Sequence, residues 1–188
     1  MLKTGEKSKM EYEIDYSPTD ENVLGAIKVD RAVFKGFDVG NFQTCKNWLS
    51  VNEGIYTFLK CDNKVIGYIN FMPITEDCYK SFLKADYKDY EINAKDILPF
   101  CKGENLCLFD SVAILEEYRC KDAIKALWGG LQKKIENLQQ RGVIVKSYVM
   151  DCVSNKGIKF AERLHAKFIR WTETGAIFEG TSLDIIPN

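Results

Sequence analysis

The chain is 188 residues long, 46% hydrophobic and 28% charged, with a formal net charge of −1. That length suits one domain, and the near-neutral charge gives no broad basic field to gather nucleic acid or an anionic membrane. No apolar run approaches the ~20 residues a membrane-spanning helix needs.

Residues 1–12 read as a flexible polar arm with no apolar stretch of the secretory kind, ahead of a single domain over 13–188. Ser17-Pro18-Thr19-Asp20 reads as a helix start, with a cap, a proline at the first turn and an early acid. Val23, Ala26, Ile27, Val33 and Phe34 continue it as an approximate helical stripe. Gly36 and Gly40 interrupt, and 41–51 reads as a second helix. Residues 55–60 and 64–71 are rich in Ile, Val, Tyr and Phe, with Asp62-Asn63 between them, which predicts a hairpin whose second strand stops at Pro73. The stretch 75–100 starts as a helix carrying Tyr79, Phe82 and Leu83, then becomes a polar loop with Tyr87 and Tyr90.

A strongly apolar strand follows over 106–115. Ile124, Leu127, Trp128, Leu131, Ile135 and Leu138 recur at helical spacing and predict a helix over 122–140, stopped by Gly142. The Gly129-Gly130 pair inside it costs about 2 kcal/mol of propensity and implies close packing there. Residues 143–153 form another strand, Ser154 or Asn155 caps a helix running to about His165, and 167–172 with 176–185 alternate like a terminal hairpin. His165 reads as structural, at a helix end where a cation suits the dipole. Strand–helix–strand units require some parallel pairing, whereas hairpins are antiparallel. The fold class is therefore α/β (α+β), with a mixed, mostly antiparallel sheet flanked by helices. The seven cysteines contain no C-x-x-C pair, and there is one histidine, so a Cys/His metal site lacks ligands and spacing. Reduced, mostly buried thiols point to a cytoplasmic protein without a metal.

Two segments carry a resemblance. The first is Ser111-Val112-Ala113-Ile114-Leu115-Glu116-Glu117-Tyr118-Arg119-Cys120-Lys121-Asp122-Ala123-Ile124, and the second is Ser154-Asn155-Lys156-Gly157-Ile158-Lys159-Phe160-Ala161-Glu162-Arg163-Leu164. In this element order, over about residues 17–180, the chain resembles the GCN5-related N-acetyltransferases. The first segment is similar to that family's central strand and its pyrophosphate loop, R/Q-x-x-G-x-G/A; the second is similar to its later strand-to-helix junction. The resemblance implies splayed central strands and acetyl-coenzyme A as acyl donor. Val112, Ala113, Ile114 and Leu115 would offer backbone groups to the pantetheine arm. Arg119, Cys120, Lys121, Asp122, Ala123 and Ile124 would form the pyrophosphate loop, and Asn155 would touch the arm. A helix N-terminus suits an anion through orphan N–H groups and the dipole. Asp122 and Ile124 stand where the family has glycines. Asp122 would cap the helix, with its carboxylate near an anion.

The resemblance also implies direct attack of an amine on the thioester, with the amide around Ile114 donating to the developing oxyanion and a carboxylate acting as base. Asp110 is the base candidate: alternation puts it on one strand face with Val112 and Ile114, and it is the only acid inside the apolar strand. Glu116 and Glu117 are alternatives. The family's usual tyrosine acid falls at Ala161, so Tyr148 or Cys152 on the preceding strand would substitute, or water. Acceptor selection would come from 34–48, 75–100 and 171–178. Glu76, Asp77, Asp86, Asp89 and Glu91 in the middle segment would attract a cationic amine or pair with neighbouring lysines. The acceptor is a small-molecule or protein amine, and the chain is a monomer or homodimer. Two readings stay open, an N-acyltransferase or a module of this fold that binds acyl-coenzyme A or a protein partner without turnover. A third, an unrelated α/β domain, would show a parallel sheet without a splay.

Overall fold

A computed structural model describes residues 10–35 and 40–186. The expected arm as far as residue 9, and the expected break at Gly36, lie outside the described residues. A three-residue strand, β1 (Glu13–Asp15), leads into α1 (Asp20–Val33) and α2 (Phe42–Val51). Thr19 caps α1 by accepting from the Asn22 N–H, and Asn41 caps α2 by accepting from the Thr44 N–H. β2 (Tyr56–Cys61) and β3 (Lys64–Pro73) form the expected hairpin. Asp62 and Asn63 both take positive φ, 49° and 61°, as a two-residue turn matched to strand twist requires.

α3 (Glu76–Lys84) opens the middle segment, capped by Thr75. β4 (Gly103–Ile114) starts three residues before the expected strand. α4 (Lys121–Gln140), β5 (Val143–Cys152), α5 (Asn155–Arg163), β6 (Lys167–Trp171) and β7 (Ala176–Gly180) follow. The expected final strand ends at Gly180 rather than 185. There Thr181 donates its N–H to the Asp184 carboxylate, and the chain turns into α6 (Ser182–Ile185).

Among the described residues the sheet order is β1-β2-β3-β4-β5-β7-β6, and only β4 and β5 run parallel. α1, α2 and α3 cover one face through Val23, Ile27, Trp48 and Phe82, packed on Phe58, Tyr68 and Met72. On the other face Leu127, Leu131 and Ile135 of α4 and Ala161 of α5 meet Phe71, Phe109 and Tyr148. Each fully buried Leu or Ile of α4 contributes roughly 1.5–3 kcal/mol, which outweighs the propensity cost of Gly129-Gly130. Only Gly130 has a packing reason: a Cβ there would lie 2.9 Å from an Ile14 methyl of β1, whereas nothing lies within 4 Å at Gly129. His165, just past α5, takes a φ of 55°.

Candidate active site

β4 pairs with β5 only from Gly103 to Leu108. Beyond Leu108 the two strands part, β4 staying with β3 as far as Ile114 and β5 with β7 as far as Cys152. A bulge accompanies the parting, because Ser111 faces Asn70 while Phe109 faces Phe71, leaving Asp110 as the extra residue. The bulge inverts the alternation. Leu106 and Leu108 pack on the α1–α3 face, but Val112 and Ile114 pack on the α4–α5 face. The expectation that Asp110 shares a face with Val112 and Ile114 is corrected on this point. Asp110 accepts from the Ser111 hydroxyl at 3.3 Å and acts electrostatically on Cys45 and Tyr56, both on the opposite face from Ile114.

The Leu115 N–H donates to the Ile66 carbonyl, and the Leu115 carbonyl accepts from Tyr118. Antiparallel pairing alternates, so Ala113 also turns its amide toward β3, and Val112 and Ile114 turn theirs toward the splay. Of the four residues expected to present backbone groups, two therefore do. The outward Ile114 carbonyl already accepts from Arg119 Nη2 at 2.9 Å.

A cavity of about 1360 Å³ runs through the splay. That exceeds the volume usual for one small ligand and suits a long ligand together with a second molecule. Its walls are residues 109–115 along and just past β4, residues 150–153 along and just past β5, Ile124, Leu127 and Trp128 of α4, and Ser154, Asn155 and Phe160 at α5. Trp128 and Phe160 meet edge-on at 5.6 Å and both contact the Phe109 ring. The three segments expected to select the acceptor also reach this cavity, through Phe34, Thr44, Cys45 and Trp48, through Lys88 and Tyr90, and through Glu173 and Thr174. Of the expected acids of the middle segment, Glu76, Asp77, Asp86 and Glu91 are exposed surface charges. Glu76 pairs with Lys80 at 2.7 Å, and Glu91 accepts from the Lys88 N–H.

The pyrophosphate-loop candidates divide. Arg119 and Ile124 line the cavity, with Ile124 50% exposed. Ala123 is buried under the helix, and Cys120, Lys121 and Asp122 stand at the helix start beside the cavity. Cys120, not Asp122, is the cap: its sulfur accepts from the Ala123 N–H at 3.5 Å and its carbonyl accepts from the Ile124 N–H. Asp122 lies one turn position inside the helix. The Tyr12 hydroxyl, 3.3 Å from the Cys120 sulfur, and the Ala123 amide hold that thiol below its usual range. Ser154 caps α5 by accepting from the Gly157 N–H, and Asn155 occupies the first helical position, on the cavity.

Tyr148 does not reach the cavity. Its ring is 0% exposed among Phe71 and Phe109, opposite Gly180, and burial pushes its phenol up. It is therefore a core side chain and is corrected as a proton donor. Cys152 lines the cavity, with burial pushing its thiol up to about 12. Ala161 is fully buried.

One group of residues was not singled out from the sequence. Tyr68 donates to Asp30 of α1 at 2.5 Å, and Ser111 lies within hydrogen-bond reach of both Tyr68 and Asp110. Tyr56 donates to Cys45 at 3.4 Å. Burial pushes the Tyr56 and Tyr68 phenols up, with the Cys45 thiol adding to the first and the Asp30 carboxylate to the second. Burial also raises the Cys45 thiol, with Asp110 and Asp30 adding to it. Asp30, Asp110, Ser111, Tyr56 and Tyr68 all line the cavity, at the end against α1 and α2. The sequence held one signal for this: Asp30 continues the buried stripe Val23, Ala26, Ile27 at helical spacing.

Solved structures share this architecture. PH1933 from Pyrococcus horikoshii OT3 matches with a TM-score of 0.57 and 12% identity, over 91% of this chain and 98% of that one. The PaiA N-acetyltransferase from Thermoplasma acidophilum, in complex with coenzyme A, matches at 0.53 and 13%, over 92% and 99%. A GCN5-related N-acetyltransferase from Kribbella flavida matches at 0.51 and 9%, over 87% of this chain and 35% of that one. The chain has the fold of the GCN5-related N-acetyltransferases. No family model and no curated protein matches the sequence. All seven cysteines are free and five are buried. No helix among the described residues is long and apolar enough to cross a membrane.

Proposed function

We propose that this chain is an acyl-coenzyme A-dependent N-acyltransferase that transfers an acetyl or similar acyl group to an amine. The observation that carries the reading is the splay beyond Leu108, which turns the backbone of Val112 and Ile114 into a cavity ending at two carboxylates. An extended, amide-bearing arm can lie along such an edge as an added strand. Arg119 and the start of α4 would meet its anionic end, where Ile124 narrows the approach that glycine would leave open.

Asp110 receives the proton of the incoming amine, directly or through water, and the freed nitrogen forms a bond to the thioester carbonyl carbon. The outward Ile114 N–H donates to the carbonyl oxygen as negative charge builds there. The carbon–sulfur bond then breaks, the nitrogen gives up its remaining extra proton through water to the departing thiolate, since neither Tyr148 nor residue 161 supplies one, and Asp110 returns its own proton to solvent. Asp30, fixed by Tyr68, holds a cationic part of the acceptor.

The buried Ala161 favours a second reading, a module that binds acyl-coenzyme A or a protein partner without turnover. Two measurements separate them. Saturating acetyl-coenzyme A should raise the melting temperature by roughly 5–10 °C, as about 2.7 kcal/mol of ligand stabilisation does in a domain of this size. Amine-dependent thiol release should fall about 10²–10⁴-fold in Asp110→Asn. A thermal shift without thiol release from any amine would select the acyl-coenzyme A-binding module, and no shift at millimolar ligand would end the cofactor reading and leave only a module for a protein partner or an unrelated domain.

A further inference from the structure

Arg119 sits between the two ends of the proposed cofactor site. Its guanidinium Nη2 donates to the Ile114 carbonyl at 2.9 Å. Pairing of Leu115 with Ile66 directs that carbonyl into the splay. It is therefore one of the few acceptors on the open edge available to an amide N–H lying along β4. Arg119 also ends the turn over Glu116–Tyr118 and stands two residues before the start of α4 proper, within reach of an anion at that helix end.

We propose that Arg119 is a latch on the open edge of β4, released by the anionic end of the same ligand whose uncharged arm needs the edge. This rests on the acyl-coenzyme A reading. A guanidinium bonded to a neutral carbonyl gains more from a phosphate, which adds a full opposite charge and a second parallel hydrogen bond that a single carbonyl lacks. A pyrophosphate at the start of α4 draws Arg119 away from Ile114, and the freed carbonyl then accepts from the arm. The two halves of the ligand thus help each other to bind. A ligand carrying only the arm must displace the guanidinium unaided. The latch adds selectivity for a complete, phosphorylated donor in a loop where Asp122 and Ile124 have replaced the open backbone of glycine.

The test uses pantetheine, which has the arm but no phosphate, and inorganic pyrophosphate, which has the phosphates but no arm. Pantetheine affinity is measured by amide chemical-shift titration on the wild-type protein and on Arg119→Ala, with and without pyrophosphate. Coenzyme A binding to the wild type serves as the reference. The latch predicts that pantetheine binds Arg119→Ala on the order of tenfold more tightly than wild type, the scale of one hydrogen bond to a charged group. Pyrophosphate should raise wild-type pantetheine affinity by a similar factor, reciprocally, and leave that of Arg119→Ala unchanged. If Arg119→Ala does not fold, the linkage between pyrophosphate and pantetheine in the wild type decides alone. Coenzyme A binding with pantetheine affinity indifferent to pyrophosphate overturns the latch and leaves the cofactor reading standing. No binding of coenzyme A overturns both.

Discussion

Tyr68 on β3 donates its hydroxyl proton to Asp30 on α1 at 2.5 Å, a bond that ties the first helix to the sheet at the inner end of the cavity. A carboxylate held this way faces a bound cation without first paying to order its own side chain. Asp30→Asn is expected to lower kcat/KM for cationic amines by about tenfold or more, the worth of a hydrogen bond between charged groups. The KM for the thioester should stay unchanged. Steady-state kinetics with both substrates varied will show it, and an unchanged amine KM would remove Asp30 from acceptor binding.

Lys134 of α4 supplies a pH dependence. The residue is 9% exposed, and its amine donates to the carbonyls of Gly54 and Tyr56 and lies 5.4 Å from the centre of the Tyr16 ring. Burial pulls it down to about 7. Between pH 7 and its ordinary value near 10.5, the unfolded chain carries this proton and the folded chain does not. Stability must therefore rise with pH across that window, by up to about 1.4 kcal/mol per pH unit. Lys134→Met should flatten the rise. Denaturant titrations of both proteins at pH 7, 8 and 9 test this, and parallel curves would show that Lys134 keeps its proton when folded.

Neighbouring glycines of α4 should respond oppositely to alanine. At Gly129 the space is open, so alanine should stabilise by about 1 kcal/mol through helix propensity. At Gly130 the new methyl meets Ile14, and β1 must shift or detach. Overpacking of that kind costs typically 1–3 kcal/mol, against the same propensity gain. Thermal unfolding of the two variants should move in opposite directions, and stabilisation by Gly130→Ala would mean that β1 yields freely.

Asp122 tests the anion end. Its carboxylate in the first turn of α4 favours the helix but opposes a pyrophosphate. Asp122→Asn should bind coenzyme A roughly threefold to tenfold more tightly at low salt, with the gain shrinking as ionic strength rises. Calorimetric titration at two salt concentrations is sufficient, and equal affinities at low salt would place the carboxylate away from the phosphates.

Much of the architecture was legible because local chemistry dictates it. Asp62-Asn63 adopts the positive φ angles its hairpin needs, and Thr19, Asn41 and Thr75 cap where an oxygen is wanted. Other features depend on partners distant in sequence. Three residues at Glu13–Asp15 become a strand only because β2 offers an edge. Nothing local announces that Asp110 is a bulge, since the extra residue is defined by β3. Asp122 is the better capping side chain, yet the turn over Glu116–Tyr118 delivers the chain so that Cys120 takes the position. The terminal alternation misleads because Thr181 and Asp184 bond each other and close a helical turn where period-two spacing continues. The position of Tyr148, like the partial burial of Asp30, is set by which helices cover which face.

Among the described residues, the six register pairs joining β4 to β5 are the only ladder between a four-stranded and a three-stranded half-sheet. Those halves behave as two jaws about a hinge. Anything gripped between Ile114 and Cys152 loads the pairs nearest the opening, Leu108 with Val149 and Cys107 with Tyr148. The dense aromatic packing of Phe71, Phe109 and Tyr148 lies where that leverage is greatest. Its three ring contacts join β3, β4 and β5 across that junction, so a load there is shared by both halves.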